Sequence, residues 1–258
     1  MKLSAIVIAR NEERVLERCL RSLAFCDEML VLDSGSTDRT PEIARACGAT
    51  LIVETDWRGP ATQRNRGLER ARGEWCLLLD ADEWISGALH AEIEHLLAAP
   101  RAEAAFRIPR SSSYCGRFMR HGGWWPDPVL RLLRRGQARF EGGLVHERCV
   151  PAGAVGTLTQ PLLHESFRDL EQVLAKVNAY SSWGAQDLVA AGARPGLATA
   201  LAHGAWTFIR GYLLRAGFLD GRRGLMLAIS NAEGTYYKYV KAMLRVEARD
   251  RDAGRADR

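Results

Sequence analysis

Four short apolar, β-rich runs, Leu3–Ala9, Met29–Leu32, Thr50–Val53 and Trp75–Leu79, alternate with segments patterned as helices. After the first run, Asn11 is expected as a helix N-cap, with Glu12 and Glu13 in a first turn where the helix dipole favours negative charge. Val15, Leu16, Cys19, Leu20 and Leu23 then recur at helical spacing. Thr40-Pro41 opens a second helix, with Thr as cap and Pro at the first position, and a third is expected over Pro60–Ala71. Strands alternating with helices of this length form a parallel sheet covered on both faces, which makes the fold class α/β. With 258 residues, 47% of them apolar, the chain can bury one sizeable core.

The pattern changes after about residue 100. A strand is expected over Ala104–Ile108, then a loop rich in Ser, Gly, Trp and Pro from Arg110 to Pro128, then shorter strands at Val129–Leu133 and Leu144–Val150. From Arg168 onward helices are expected near 168–190, 197–216 and 222–247. From Arg249 the chain alternates Arg and Asp with few apolar residues, so 249–258 is expected to be a disordered tail. The organisation is a core over 1–165 and a helical region over 166–248, without internal repeats.

Charge is unevenly divided. Residues 1–100 hold 12 Lys/Arg against 17 Asp/Glu, whereas the rest of the chain is strongly basic. An acidic half suits a metal site; a basic half suits phosphorylated or membrane-surface partners, or simply a soluble surface. No motif of a nucleic-acid-binding module accompanies the charge, so nucleic acid is not an expected partner. Six cysteines lie scattered without a Cys-x-x-Cys pair and read as thiols of a reducing compartment. The apolar runs are far shorter than the ~20 residues of a membrane span, and Met1-Lys2-Leu3 leads directly into a strand, so a cytoplasmic location is expected.

Three loops follow strands: Ala9-Arg10-Asn11-Glu12, Asp33-Ser34-Gly35-Ser36-Thr37-Asp38 and Asp80-Ala81-Asp82-Glu83. In a parallel sheet all three emerge on one edge, the crevice where ligands of α/β folds bind. Two carboxylates one residue apart after a buried strand suit a divalent cation, Mg²⁺ or Mn²⁺, bridging to a diphosphate; they serve equally as solvated turn acids. A carboxylate at the end of the second strand can accept from a base N–H or ribose hydroxyls, and Gly35 lets the backbone approach closely. Gly-x-Gly-x-x-Gly and Gly-x4-Gly-Lys-Ser/Thr are both missing, which argues against dinucleotide and P-loop sites.

The sequence resembles the inverting glycosyltransferases of family 2, which have the A-type fold. The resemblance is carried by Ser4–Glu12, Val31–Thr40, Gln63-Arg64-Asn65-Arg66-Gly67 and Leu78–Glu83. Further along, Phe106–Arg110, Arg131–Arg135, Val145-His146-Glu147 and Gly217–Gly221 resemble the subgroup that glucosylates the inner-core heptose of lipopolysaccharide (WaaE/LgtF-like). The resemblance implies a Rossmann-like, mainly parallel sheet with helices on both faces, followed by a helical C-terminal region. It implies a UDP-sugar donor, with Asp33 and Glu12 on uracil and ribose, Asp80 near the ribose or sugar, and Asp82 on the metal. Ala9, Arg10, Ser34, Gly35, Asp38, Arg64 and Ala81 complete the expected donor pocket; Arg64 and Arg66 read equally as solvated cations. The implied acceptor is a lipid-linked saccharide at the cytoplasmic face of the inner membrane.

Inversion requires a base to deprotonate the acceptor hydroxyl. The Glu-Asp pair in which the family often carries it is missing, and His146-Glu147 occupies a comparable place, so Glu147 is the candidate and Asp127 the alternative. His146 and His164 are candidates to complete the metal shell or to bind phosphate, or are structural. Trp124 and Trp125 either stack on sugar rings or belong to the core. The C-terminal helices interleave Trp206, Phe208, Tyr212, Leu213, Leu214 and Phe218 with Arg210, Arg215, Arg222 and Arg223, a pattern for an anionic leaflet or for ordinary packing. Transfer to another glycan or to a protein, nucleotidyl transfer, and non-catalytic binding of a sugar nucleotide are the alternative functions.

Overall fold

The computed structural model describes residues 1–142 and 147–256, with side chains as far as residue 252. The chain divides into two units, one of Met1–Ser111 with Pro126–His164, the other of Ser112–Trp125 with Glu165–Arg258. Ser112–Trp125, read in the sequence as part of the first segment, therefore belongs with the helical region.

The first unit begins with the alternation β1 (Leu3–Ala9), α1 (Leu16–Ser22), β2 (Glu28–Asp33), α2 (Thr40–Ala46), β3 (Thr50–Val53), α3 (Pro60–Arg70) and β4 (Trp75–Asp80). Parallel pairing runs β3-β2-β1-β4, and its register sets Ala9 beside Asp33 and Ile8 beside Asp80. Both aspartates thus end their strands on one edge. Next come β5 (Glu83–Ile85), α4 (Gly87–Leu97), β6 (Ala105–Tyr114), β7 (Arg117–Phe118) and β8 (Asp127–Arg134). β8 pairs antiparallel with both β4 and β6, so the sheet is parallel on one side and antiparallel on the other. The expected loop over 110–128 is shorter than its composition suggested, because β6 runs on to Tyr114 and β8 starts at Asp127. β9 (Ala138–Gly142) and β10 (Glu147–Pro151) form a separate antiparallel pair, while β11 (Val155–Thr157) lies parallel to β6.

Helices cover two apolar faces of this sheet. Leu16, Cys19, Leu20, Leu23, Leu89 and Ile93 pack with Ala5, Val7, Leu77 and Leu79, whereas Ile6, Leu32, Cys76 and Leu78 form a cluster with Ala61 and Ala71. A fully buried leucine contributes about 1.5–3 kcal/mol. Gly67 lets α3 lie close against β1: a Cβ there would run into Ile6 Cγ2. The six cysteines are free thiols.

β12 (Leu162–Phe167) enters the second unit at Glu165 and is followed by α5 (Leu170–Ala190), α6 (Leu197–Phe208) and α7 (Gly221–Ala256). A six-residue π-helical segment, Ile209–Leu214, and a 3₁₀ turn, Gly217–Asp220, join α6 to α7. α7 takes in residues 249–256, which the sequence reading assigned to a disordered tail. Its earlier turns bury apolar residues against the neighbouring helices, and the charged end continues the helix already nucleated there. The core of this unit joins Tyr114, Met119, Val173 and Leu227 with Trp124 and Phe167. The Tyr114 hydroxyl meets Ser230 Oγ at 2.8 Å, and Lys241 Nζ donates to Asn178 O, Ser181 Oγ and Ser182 Oγ.

Candidate active site

Two of the strand-end loops are stapled together. Asn11 takes a left-handed φ of 57°, its backbone N–H donates to Ser36 Oγ at 2.8 Å, and its Oδ1 accepts from Thr37 N–H at 2.8 Å. Asn11 is therefore a bridge between loops, not the N-cap of α1, whose cap position is Val15. Glu12 N–H donates to Thr40 Oγ1 at 2.8 Å and Glu13 N–H to Asp38 Oδ2 at 3.1 Å. Thr40 likewise lies inside α2, capped at Arg39, and spends its hydroxyl on the neighbouring loop. Against the upward push of burial, hydrogen bonds from Thr40 and Glu13 hold the Asp38 carboxyl below the ordinary value.

Asp33 is buried at the end of β2 and accepts from the Ser36 hydroxyl and, at 3.0 Å, from Ser36 N–H. Ser34 beside it receives Gln63 Nε2 at 2.8 Å, and the same amide donates to Glu54 O at 3.1 Å. Gly35 has φ of 85°, which an L side chain rarely adopts. Gln63 joins these residues although its only signal in the sequence is its place in the Gln63–Gly67 motif, without a role of its own. Ala9 closes the floor, with its carbonyl accepting from Ser34 N–H at 3.0 Å, and Arg10 is exposed above it.

Along the other side of the edge runs an alternating chain of ions. Asp127 accepts from Arg110 Nη2 at 2.6 Å; Arg110 Nη1 reaches Glu83 Oε1 at 3.3 Å; Glu83 and Asp80 share Arg131 Nη2 at 2.9 and 2.6 Å. Arg64 Nη2 then donates to the other oxygen of Asp80 at 2.6 Å, while its Nε meets both oxygens of Glu147 at 3.0 and 3.1 Å. Burial of Asp80 favours its neutral form, but Arg131 and Arg64 outweigh this and hold its carboxyl well below the usual range. The same pairing raises Arg131 further above an already high value. Glu83 also accepts from Asp80 N–H at 2.9 Å, fixing the turn in which Ala81 is buried.

Both base candidates, Glu147 and Asp127, thus sit at the ends of one ion-pair chain, each held by an arginine. Arg64 is a buried link in that chain and not a solvated cation; Arg66 instead pairs with Asp56 at 2.6 Å. Arg131, Arg110 and Glu83 were visible in the sequence only as parts of motifs. Nothing in the spacing of Arg131 announces a partner 51 positions away.

Asp82 stands outside the chain, with His164 Nε2 3.4 Å from its Oδ2. The antiparallel register of β12 on β5, which sets His164 opposite Glu83, brings them together. His146, the other candidate histidine, lies outside the described residues. Among the described residues no three His, Cys, Asp or Glu side chains gather as a metal site. A single carboxylate such as Asp82 nevertheless suits a divalent cation that takes most of its oxygens from a diphosphate and water, with the His164 imidazole beside it.

In the second unit, Trp124 packs edge-on to Tyr114, with ring centroids 6.2 Å apart, and tilted against Phe167 at 5.9 Å, so it is a core aromatic there. Asp220 of the Gly217–Gly221 motif is likewise structural: it accepts from Arg120 N–H, His121 N–H and His121 Nδ1.

Residues 4–153 match the profile described as glycosyl transferase family 2. The lipopolysaccharide core biosynthesis glycosyltransferase LpsC of Rhizobium meliloti (strain 1021) is 34% identical, over 93% of this chain and 94% of its own. An uncharacterized glycosyltransferase of Rickettsia bellii (strain RML369-C) is 28% identical over 93% and 85% of the two chains. Among solved structures, residues 1–349 of Staphylococcus aureus TarS, crystallised with UDP-GlcNAc, superpose with a TM-score of 0.50 at 16% identity, covering 96% of this chain and 92% of that one.

Proposed function

Because this chain belongs to glycosyl transferase family 2 and has the A-type fold of that family, we propose that it transfers a hexose, glucose from UDP-glucose, to a lipid-linked saccharide, with inversion at the anomeric carbon. The acceptor in this reading is the inner-core heptose of lipopolysaccharide, at the cytoplasmic face of the inner membrane. Support for a lipopolysaccharide acceptor comes from the near full-length similarity to LpsC.

The observation that carries the reading is the convergence of Asp33, Ser34, Asp80 and Asp82 on one sheet edge, with buried Gln63 and Arg64 bracing them. In this reading Asp33, Glu12, Ala9 and Arg10 receive the nucleoside, with Ser34, Gly35 and Asp38 shaping the loop beneath it. Asp80 and Ala81 face the ribose or sugar. Asp82 and His164 would hold Mg²⁺ or Mn²⁺, whose contribution is to neutralise charge on the departing diphosphate.

During transfer the acceptor oxygen forms a bond to the anomeric carbon as the bond from that carbon to the β-phosphate oxygen breaks. The electron pair leaves with UDP, and the acceptor proton passes to a carboxylate. Glu147 is the proposed base. Its carboxylate is a quarter exposed, and Arg64 ties it to Asp80, so the group that takes the proton and the group beside the sugar move as one. Asp127, more exposed and braced by Arg110, is the second reading.

Incubation with a panel of UDP-sugars and heptose-containing core acceptors tests the proposal. It expects acceptor-dependent UDP release with UDP-glucose preferred; release unaffected by acceptor would contradict it.

A further inference from the structure

The second unit contains a helix whose amphipathicity is reversed. α6 carries no Asp, Glu, Lys or Arg, and apart from His203, which stacks on Tyr239, it packs on α7 through small residues: Ala200 and Gly204 are buried, and a Cβ on Gly204 would lie 3.3 Å from Tyr236 Cβ. Its large apolar residues point the other way. Leu197, Leu201 and Trp206 are more than half exposed, and beyond them Ile209, Leu213, Leu214, Phe218 and Leu219 stand exposed on the π-helical and 3₁₀ turns. The tip is likewise packed on glycines, since Cβ atoms on Gly217 and Gly224 would meet the carbonyls of Gly211 and Gly217. Small residues inside and large apolar residues outside invert the arrangement of a helix that faces water. It is the arrangement of helices that face lipid.

The charges beside this ridge select the partner. Between residues 195 and 232 the ionic side chains are Arg210, Arg215, Arg222, Arg223 and Asp220. Asp220 is buried on the Arg120 and His121 amides, while Arg210, Arg215 and Arg222 are exposed. A second copy seated on this ridge by two-fold symmetry would set arginine against arginine with no exposed acid to answer it. Phosphate headgroups answer it directly, through the forked donors of each guanidinium. No helix among the described residues is long and apolar enough to cross a membrane, and a ridge of this length with flanking cations is the kind that would lie along a bilayer surface.

We infer that the ridge formed by α6 and the 209–219 turns inserts its apolar side chains into a leaflet of anionic phospholipid, with Arg210, Arg215 and Arg222 on the headgroups. The inference extends the proposed lipid-linked acceptor by naming the surface that meets the bilayer. Vesicle binding requires neither donor nor acceptor, so either reading can fail without the other.

Flotation of the full chain with phosphatidylcholine vesicles, with and without phosphatidylglycerol, tests it. Binding is expected to require phosphatidylglycerol and to weaken with salt. Arg210→Ala with Arg222→Ala should weaken binding roughly 30-fold, and Leu213→Ser with Leu214→Ser should abolish it. These side chains are exposed, and an unchanged circular dichroism spectrum would show the fold retained. Equal binding by these variants, absence of binding to either vesicle, or a dimer in sedimentation velocity that Leu213→Ser with Leu214→Ser dissolves would overturn the inference.

Discussion

Arg64 holds Glu147 through Nε and Asp80 through Nη2, joining residues from α3, β4 and β10 within one guanidinium. The fork geometry matters because lysine offers a single point charge and cannot span two carboxylates in fixed directions. Arg64→Lys is therefore expected to fold, with Arg131 still on Asp80, yet to lose at least tenfold in kcat with a smaller change in KM, as positioning of the proposed base Glu147 fails. Steady-state kinetics checks this.

Asp80 supplies stability that depends on pH. Its carboxyl is held below the usual range, so its contribution is fully present above an ordinary carboxylate value of about 4 and is lost as pH falls through its lowered one. Asp80→Asn leaves Arg131 and Arg64 short of an anion, which is expected to destabilise the fold by about 3 kcal/mol at neutral pH. The variant should also lose part of the acid dependence. Urea unfolding at pH 7 and below pH 4 measures both effects.

The two base candidates separate by substitution. Glu147→Gln keeps the shape and the hydrogen bond from Arg64 but removes the proton acceptor, and a loss of about 10²–10⁴ in kcat is expected with donor affinity retained. Asp127→Asn should stay within about tenfold of the parent if Asp127 only braces Arg110. A reversed ranking assigns the base to Asp127.

Gly67 tests the packing beneath the site. Gly67→Ala forces a methyl group into Ile6, and α3 carries both Gln63 and Arg64. A loss of about 1–3 kcal/mol is expected, measured by thermal unfolding, with donor affinity lowered as Gln63 leaves Ser34.

The strand and helix alternation up to Asp80 was legible because each element is local: its periodicity and turn residues lie within a short window. The gathering of Asp33 and Asp80 on one edge followed from parallel order alone. Asn11 was misread as a cap, since a polar residue before a helical pattern satisfies that rule whether its side chain turns to its own helix or, as here, to Thr37. The ion-pair chain was illegible for a different reason. Its members are distant in sequence, and only the antiparallel placement of β8 beside β4 brings Arg131 to Asp80. Likewise Asp82 meets His164 only through the pairing of β12 with β5.

The proposed role of the edge around Asp82, binding a sugar nucleotide through a divalent cation for transfer to an acceptor, can be tested on the intact protein. The most direct measurement is UDP release from UDP-glucose, with a heptose-containing core acceptor, with and without Mg²⁺ or Mn²⁺, for the parent and for Asp82→Ala and His164→Ala. Release in the parent is expected to depend on both acceptor and metal. Asp82→Ala should lose at least a hundredfold, and His164→Ala should need more metal for the same rate. Full transfer by Asp82→Ala, or metal-independent transfer by the parent, would contradict the proposed role.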